Sequence, residues 1–234
     1  MQIKDGKLKI IGHGGAPALE PENTLLGYQR AIDLNCDMVE VDARLSKDNK
    51  IILIHDPTVN RTTNGKGFVA YKSLEELKKL DAGKGEKIPT LEEVWNLLSG
   101  KAELNIEIKE EKVLGQVILF IEKEDIKDKV LVSSRYYWLL AKIKKSNPQI
   151  RTALVSYLPL ASIWQAKKGK VESIHPITTT LTAGLLKKAH ENNLKVYPFP
   201  LERSKKEEPV KIKELIKAGV DGIFLNDPGV LKKV

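Results

Sequence analysis

Six residues that can do acid–base or metal chemistry stand at the ends of short apolar runs. They are His13, Glu40, Asp42, His55, Glu107 and Lys109. A charge at the end of a buried strand costs free energy unless a partner or a ligand uses it. Three carboxylates that meet would repel one another, and oxygen ligands of this kind favour magnesium, calcium or manganese over zinc. The sequence therefore predicts one divalent metal ion beside histidines that can exchange protons.

Taken singly, each of these residues also has a structural explanation. Glu40 and Asp42 suit the exposed side of a half-buried strand, and an isolated histidine is more often a hydrogen-bonded structural residue than a catalyst. Their spacing favours a catalytic or metal-binding role, because side chains two positions apart on a strand share a face. Glu40 and Asp42 are therefore expected to point together, as are Glu107 and Lys109.

Three other residues with reactive side chains receive structural interpretations. His175 could line the barrel mouth, but a structural role in a loop is favoured; His190 is assigned to the surface of a lysine-rich helix, and Cys36 to buried packing. A single cysteine cannot form an internal disulfide, which favours a reducing compartment. The N-terminal residues contain no apolar stretch long enough for a signal peptide or a membrane span. We therefore expect a soluble, cytoplasmic protein.

The elements that must position these residues alternate between short apolar runs and helical stretches, which is typical of repeated βα units. Strands are predicted at residues 9–13, 38–45, 51–55, 103–109, 130–134, 151–157, 173–177, 195–199 and 222–226. Nine strands are one too many for a closed eight-stranded barrel. Residues 46–50 are too few for a helical crossover but suit a hairpin, so 51–55 should run antiparallel. The class is therefore α/β, a (β/α)8 barrel with its functional loops at the carboxyl ends of the strands.

The stretch from about residue 56 to residue 89 is too long and rich in turns to be an ordinary connection. We interpret it as a short insertion over the barrel mouth, placed after the hairpin strand that carries His55. Ser73 with Glu76 and Thr90 with Glu93 have the spacing of capping boxes, so each pair predicts the start of a helix.

The formal charge of +8 raises the possibility of a nucleic-acid or membrane partner. The lysines are interleaved with glutamates on predicted helix faces, which is typical of a solvated surface, and they lack a known binding motif or interleaved aromatic residues. We therefore expect no nucleic-acid partner and no stable membrane insertion, and the oligomeric state stays open. At 234 residues and 41% hydrophobic content, residues 1–234 are expected to form a single domain.

Eight short motifs occur together in a distinctive order and spacing. They are IGHGG at 11–15, PENT at 21–24, VEVD at 39–42, SKD at 46–48, HD at 55–56, RTT at 61–63, IPTL at 88–91 and NIEIK at 105–109. In this order the motifs resemble the glycerophosphodiester phosphodiesterase family, and residues 226–228 more loosely resemble the family's closing segment.

The resemblance implies a phospholipase-C-like TIM barrel that hydrolyses small-molecule glycerophosphodiesters to sn-glycerol 3-phosphate and an alcohol. It assigns His13 and His55 to acid and base catalysis and Lys109 to the phosphate. The metal ligands that it implies are Glu40, Asp42 and Glu107. The sequence leaves open whether water attacks directly or the glycerol 2-hydroxyl attacks first to give a cyclic phosphate.

The chain departs from the family pattern at Gly14, where an arginine that contacts phosphate is usual. Arg135 follows a predicted strand and is our first candidate to replace that guanidinium. Arg44 lies farther out along the hairpin, and Arg61 lies in the insertion. Phe199 is expected to supply an apolar wall of the substrate site.

Two other functions stay open from the sequence. A lysophospholipase D acting on single-chain lipids would use the same metal and histidines, and a wide apolar groove beside Phe199, Trp138 and Trp164 would favour it. A non-catalytic phosphoester-binding protein is suggested by Gly14, whereas the complete set of histidines and carboxylates argues against it.

Overall fold

The structure is a computed structural model that describes residues 2–3, 6–202 and 206–234. Two short antiparallel strands, β1 (Gln2–Ile3) and β2 (Gly6–Lys7), precede the main sheet. The strands of that sheet are β3 (Lys9–Gly12), β4 (Met38–Leu45), β5 (Ile51–Leu53), β6 (Glu103–Ile108), β7 (Val130–Ser134), β8 (Arg151–Ser156), β9 (Ser173–Pro176), β10 (Lys195–Val196) and β11 (Gly222–Leu225).

Helices follow most of the strands. They are α1 (Leu25–Asp33), α2 (Leu74–Lys79), α3 (Leu91–Leu98), α4 (Leu114–Lys123), α5 (Tyr137–Ser146), α6 (Pro159–Gly169), α7 (Ala183–His190) and α8 (Pro209–Ala218). Both predicted capping boxes are present, at the starts of α2 and α3. Across the part of the chain described here, every helix is too short or too polar to cross a bilayer.

Eight of the strands form a barrel in the order β10-β9-β8-β7-β6-β4-β3-β11, and all neighbouring pairs are parallel. The seam is joined by two backbone hydrogen bonds, from Asp221 N–H to the Val196 carbonyl at 3.1 Å and from Phe224 N–H to the Pro198 carbonyl at 3.0 Å. β5 pairs antiparallel with β4 outside this ring. The predicted (β/α)8 barrel and its hairpin are therefore confirmed.

The seventh barrel strand is shorter than predicted. β10 ends at Val196 instead of residue 199 because Pro198 and Pro200 have no N–H to donate. The backbone nevertheless continues beside β9, since Phe199 N–H donates to the Pro176 carbonyl at 3.0 Å. Phe199 therefore keeps the inward direction of a strand residue.

The barrel interior changes character from one end to the other. At the amino ends of the strands, Glu103 pairs with Lys9 at 2.5 Å and with Arg151 at 2.7 Å. A buried apolar cluster lies inside the barrel, and it consists of Ile11, Met38, Leu131, Ala153, Val155, Ile177, Tyr197, Phe199 and Phe224. The inward-facing positions nearer the carboxyl ends of β4 and β6 are polar, which places the functional groups at the barrel mouth.

The segment expected to be an insertion has an apolar cluster of its own. Its buried members are Val59, Val69, Leu77 and Ile88, which pack with Ile52 of β5 and with Ile54 just after it. Ion pairs from Arg61 to Glu22 at 2.7 Å and from Lys84 to Glu20 at 2.6 Å hold it against the loop that follows β3. The segment thus has its own packing and borders the site at His55.

Candidate active site

Three buried carboxylates meet at the barrel mouth. Glu40 and Asp42 project from β4, and Glu107 projects from the adjoining β6, where it is in register with Asp42. One carboxylate oxygen from each residue lies within 4.8 Å of the other two. The alternation predicted from the sequence therefore brings all three side chains to one point.

Hydrogen bonds orient two of these carboxylates. The Gly14 N–H donates to Glu40 Oε2 at 2.7 Å, and the Asn23 amide donates to Asp42 Oδ2 at 2.7 Å. Asn23 is itself held by the Tyr28 hydroxyl, which donates to Asn23 Oδ1 at 2.7 Å. Asn23 belongs to the PENT motif, but its role could not be predicted from the sequence, because only the folded loop brings it beside Asp42.

The Lys109 ammonium lies next to the acidic cluster. Its Nζ is 3.1 Å from Asp42 Oδ1 and 2.8 Å from Glu107 Oε1. One ammonium cannot neutralise three ionised carboxylates, so a negative excess remains. Buried carboxylate oxygens in this number suit a hard divalent cation such as magnesium, calcium or manganese. The residues present therefore fit the predicted metal site.

His13 stands at the end of β3, and a hydrogen bond fixes its ring. Its Nδ1 is 2.9 Å from Asn226 Oδ1, while the Asn226 amide donates to the Glu202 carbonyl at 2.6 Å. That second contact assigns the oxygen of the Asn226 side chain to His13, so Nδ1 carries the proton. The imidazole also meets Phe199 and Phe224 edge-on, with centroids 5.9 and 5.8 Å away.

His55 lies two residues beyond β5 and has a charged partner. Its Nδ1 is 2.7 Å from Asp56 Oδ1. The hydrogen bond from Arg61, followed by that from His55, lowers the pKa of Asp56 to about 2, although burial opposes the shift. Asp56 is therefore an anion at neutral pH, and its contact with Nδ1 orients the His55 ring. The Arg44 guanidinium donates to the His55 carbonyl at 3.0 and 2.8 Å and thereby fixes the backbone.

One cavity contains most of the predicted site residues. Its lining includes His13, Glu40, His55, Glu107, Lys109 and Phe199. Asp42 lies directly behind this lining and is fully buried. Arg135 lines an adjoining cavity that shares His55, Glu107 and Lys109. The fold thus brings into one cavity residues as far apart in the sequence as His13 and Phe199.

The candidate arginines differ in what holds them. Arg61 binds Glu22 and Asp56, and Arg44 is held by the His55 carbonyl. The Arg135 guanidinium donates to the Tyr136 hydroxyl and lies 4.7 Å from the centroid of that ring. Among the described residues, no carboxylate forms an ion pair with Arg135. Its charge is therefore available to an anion.

Gly14 has a backbone reason to be glycine. Its φ is 65°, in the left-handed region. A side chain there costs roughly 1–2 kcal/mol, so an arginine at this position would be strained in the present backbone conformation. The Gly14 N–H also donates a hydrogen bond to the Glu40 carboxylate.

The loop role favoured for His175 is wrong, and the alternative, a place in the lining of the barrel mouth, is confirmed. The residue lies on β9, is 1% exposed and lines the same cavity as His13. Its ring packs between Tyr197 and Phe224, with centroids 5.4 and 4.9 Å away. Burial lowers its pKa to about 3. The available signal was its place inside a predicted strand, with the parity of inward-facing Ser173.

The titration of His175 gives a test of its burial. Folding lowers its pKa from 6.5 to about 3, so this contribution to stability is complete above pH 6.5 and is lost as the pH falls toward 3. Between pH 7 and pH 4.5, the free energy of unfolding should fall in both proteins. We expect the fall in the wild type to exceed that in His175→Phe by more than about 1 kcal/mol. Urea unfolding at each pH measures this, with exposed His190→Gln as the control. If the free energy of unfolding depended on pH equally in His175→Phe and in His190→Gln, the burial of a neutral His175 would be contradicted.

The other two structural interpretations are confirmed. Cys36 is buried, and burial raises the pKa of its thiol to about 12, which excludes a reactive thiolate at neutral pH. His190 is exposed on α7, where its Nε2 lies 3.0 Å from Asp221 Oδ2.

Comparison with known proteins agrees with this geometry. The model of the glycerophosphoryl diester phosphodiesterase family matches residues 13–230. A glycerophosphodiester phosphodiesterase of Caldanaerobacter subterraneus subsp. tengcongensis is 38% identical over 239 residues, which cover 96% of each chain. An enzyme of the same name from Bacillus altitudinis is 34% identical, with 97% of each chain covered.

A solved structure extends the likeness to the fold. An Oleispira antarctica phosphodiesterase, in complex with the product sn-glycerol-3-phosphate, superposes with a TM-score of 0.85. It is 27% identical, and the match covers 96% of this chain and 95% of that one. The family match spans nearly the whole sequence and includes every predicted metal and histidine position. The chain therefore belongs to the glycerophosphoryl diester phosphodiesterase family.

Proposed function

We propose that this protein hydrolyses glycerophosphodiesters to sn-glycerol 3-phosphate and an alcohol, with one divalent metal ion as cofactor. The observation that carries the proposal is the cavity in which an acidic cluster, Lys109 and two oriented histidines converge. The product complex of the Oleispira antarctica relative supports the identity of the substrate. The lone, buried Cys36 supports a reducing compartment such as the cytoplasm, and residues 1–234 are proposed to act as one domain.

The residues divide the reaction between them. A metal ion held by Glu40, Asp42 and Glu107 would supply Lewis-acid polarisation of a bound oxygen. Lys109 faces the phosphate and offsets the negative charge that grows on its oxygens. Phe199 provides an apolar wall next to His13.

The two histidines move the proton. His55, oriented by the Asp56 anion, donates a proton to the oxygen of the leaving alcohol. His13 accepts the proton of the attacking oxygen, which belongs either to water or to the glycerol 2-hydroxyl; in the second case water then opens the cyclic phosphate, with the two histidines in exchanged roles. The bond from phosphorus to the attacking oxygen forms while the bond to the leaving oxygen breaks, so one proton is taken up and one is released.

The lysophospholipid alternative would be favoured by a wide apolar groove beside three aromatic residues. Phe199 lines the cavity, whereas Trp138 and Trp164 are absent from the described lining. Those two side chains are 46% and 54% exposed and instead contact Tyr137 on the outer helices. The geometry therefore favours the small glycerophosphodiester.

The experiment that tests the proposal is a product-release assay across several head groups. Glycerophosphocholine, glycerophosphoethanolamine, glycerophosphoglycerol and a lysophospholipid are compared, with magnesium, calcium and manganese supplied separately. We expect sn-glycerol 3-phosphate from the first three substrates with at least one metal. Turnover of the lysophospholipid alone would overturn the proposal in favour of the alternative, and no turnover with any metal would support a binding protein.

Arg135 is proposed as the guanidinium that contacts the substrate phosphate. We expect Arg135→Ala to lower kcat/KM about tenfold or more, because a hydrogen bond to a charged group contributes about 1.5–3 kcal/mol. Lys142→Ala is the matched control, since Lys142 is a half-exposed cation farther along α5 that pairs with Glu111. Steady-state kinetics of both variants make the comparison, and equal kcat/KM in Arg135→Ala and wild type would remove Arg135 from the site.

A further inference from the structure

One stretch of the chain, residues 129–171, carries positive charge that no acidic residue within it balances. It contains nine lysines and arginines and no aspartate or glutamate. The formal charge of the whole chain is +8, so this stretch accounts for all of the excess. The alternation of lysine with glutamate that is typical of a solvated surface is therefore interrupted here.

The same stretch is rich in aromatic residues, and the fold leaves several of them at the surface. It contains two of the three tryptophans and three of the six tyrosines of the chain. Trp138 on α5 is 46% exposed, and Trp164 on α6 is 54% exposed. Leu158, at the start of α6, is 65% exposed. Large apolar side chains exposed together on adjacent helices indicate a binding surface, whereas scattered single ones do not.

Ring contacts join the two helices into one aromatic surface. The Tyr137 ring lies 5.5 Å from the Trp138 ring and 5.4 Å from the Trp164 ring, measured between centroids. The helices also pack closely, since a Cβ added at Gly169 of α6 would lie 3.3 Å from the Tyr137 carbonyl oxygen. Trp138 and Trp164 are therefore parts of the same surface.

Exposed lysines accompany both tryptophans. On α5, Lys145 follows Trp138 by seven residues, which places the two side chains on one face of the helix, two turns apart. On α6, the Lys168 ammonium lies 6.0 Å from the centroid of the Trp164 ring. Within the described part of the chain, no carboxylate forms an ion pair with Lys145 or Lys168. Both charges are therefore available to an anionic partner.

We propose that Trp138, Lys145, Leu158, Trp164 and Lys168 form a docking surface for an anionic lipid bilayer. Tryptophan rings favour the boundary between the head groups and the acyl chains, and an exposed leucine can enter the same boundary. Lysines close to a bilayer are attracted to anionic head groups. The protein lies on the bilayer through this surface and does not cross it.

A single-stranded nucleic acid would match the same positive charge, because bases stack on aromatic rings next to cations. Such a partner would use the tryptophans and the lysines and would leave Leu158 in water. A bilayer uses all three kinds of side chain. The observations therefore favour a lipid surface over a nucleic acid.

The docking surface extends to the barrel mouth. Leu158 follows Tyr157, which lines the active-site cavity and meets the Phe199 ring with centroids 5.9 Å apart. Binding would therefore hold the mouth close to the bilayer. Under the proposed function, that is where removal of the acyl chains of phospholipids would release glycerophosphodiesters. The docking surface itself does not rest on that function, because its residues lie outside the acidic cluster and its histidines.

Co-sedimentation with vesicles at low ionic strength tests the docking surface. The vesicles consist of phosphatidylcholine alone or of phosphatidylcholine mixed equally with phosphatidylglycerol. We expect the apparent Kd to be at least about tenfold lower on the anionic vesicles and to rise with added salt. Trp95 is 7% exposed, so a blue shift of the tryptophan emission on binding would come from Trp138 and Trp164.

Two double variants remove the two kinds of contact separately. Lys145→Glu with Lys168→Glu should weaken binding to the anionic vesicles about tenfold or more, because attraction becomes repulsion. Trp138→Ala with Trp164→Ala should weaken it by a similar factor, because the rings no longer enter the boundary region.

Two matched controls lie on other parts of the surface. Lys213→Glu with Lys217→Glu makes the same change of net charge on exposed positions of α8. Tyr71→Ala removes an exposed ring from the insertion. Both controls should bind the anionic vesicles as the wild type does. The melting temperature and the turnover of soluble glycerophosphocholine should stay close to the wild-type values in all these variants, which shows that each is folded.

Three results would overturn the docking surface. The first is no binding of the wild type to anionic vesicles at low ionic strength. The second is equal weakening by the α8 control and by Lys145→Glu with Lys168→Glu, which would mean that only net charge matters. The third is tighter binding to a single-stranded oligonucleotide than to the vesicles. A wild type that binds the vesicles but hydrolyses no glycerophosphodiester would contradict the proposed function and leave the docking surface standing.

Discussion

Chelation of divalent metal by EDTA is expected to abolish turnover and to lower the melting temperature by roughly 5–10 °C. Glu40, Asp42 and Glu107 hold oxygens within 4.8 Å of one another, so removal of an ion restores their repulsion. A ligand present at a hundred times its Kd stabilises the folded state by about 2.7 kcal/mol, and 1 kcal/mol shifts Tm by about 2–4 °C in a protein of this size. Calorimetry and a product-release assay in parallel measure the two effects.

Carboxylate variants show whether the effect belongs to this cluster. In Asp42→Asn, the melting temperature should respond much less to EDTA, because the variant binds metal weakly and has less repulsion to relieve. Glu111→Gln is the control, since Glu111 is an exposed carboxylate that pairs with Lys142, and it should respond as the wild type does. Full activity in excess chelator would exclude an essential, exchangeable metal.

Loss of either imidazole is expected to lower kcat by at least about a hundredfold. A positioned acid or base typically contributes 10² to 10⁴ in rate, and His13 and His55 are each oriented through Nδ1. Binding of sn-glycerol 3-phosphate should change little in His13→Ala or His55→Ala, because the phosphate contacts proposed for Lys109 would remain. Steady-state kinetics and product titration separate the two quantities.

The double variant and a surface histidine complete this experiment. Residues that act in one proton-transfer sequence are not additive, so His13→Ala with His55→Ala should lose little more than the more damaging single change. His190→Ala should keep wild-type kcat, since that ring is exposed and pairs with Asp221. Near-normal turnover in either active-site variant would remove that histidine from the mechanism.

The sequence by itself determined the barrel and the acidic cluster. Parallel strands are buried on both faces, so β4 and β6 appear as apolar runs, and a charged residue at every second position near their ends stands out. Period-two alternation places Glu40 with Asp42 and Glu107 with Lys109, whatever the rest of the chain does. The hairpin of β5 followed equally from chain length, because the residues after Leu45 are too few to cross the sheet.

Contacts between distant segments were decided by the tertiary structure alone. Asn226 orients His13 across 213 positions, and Asn23 reaches Asp42 from the loop after β3. Neither side chain differs in the sequence from an ordinary loop asparagine, because its role depends on which strand ends are neighbours around the barrel. The environment of His175 was decided in the same way, since its burial depends on Tyr197, one residue beyond β10, and on Phe224 of β11, at the point where the barrel closes.

The same physical division explains the strand that was predicted too long and the buried, unpaired polar atoms that were not predicted at all. The local sequence pattern predicted a strand through Phe199. In the structure β10 ends at Val196, because Pro198 and Pro200 lack the N–H groups on which a regular strand ladder depends. Asn105 and Ser133 belong to predicted strands, but an unpaired polar atom is a property of its surroundings and not of its residue type. Periodicity fixes which way a side chain points, and only the closed barrel fixes what it meets there.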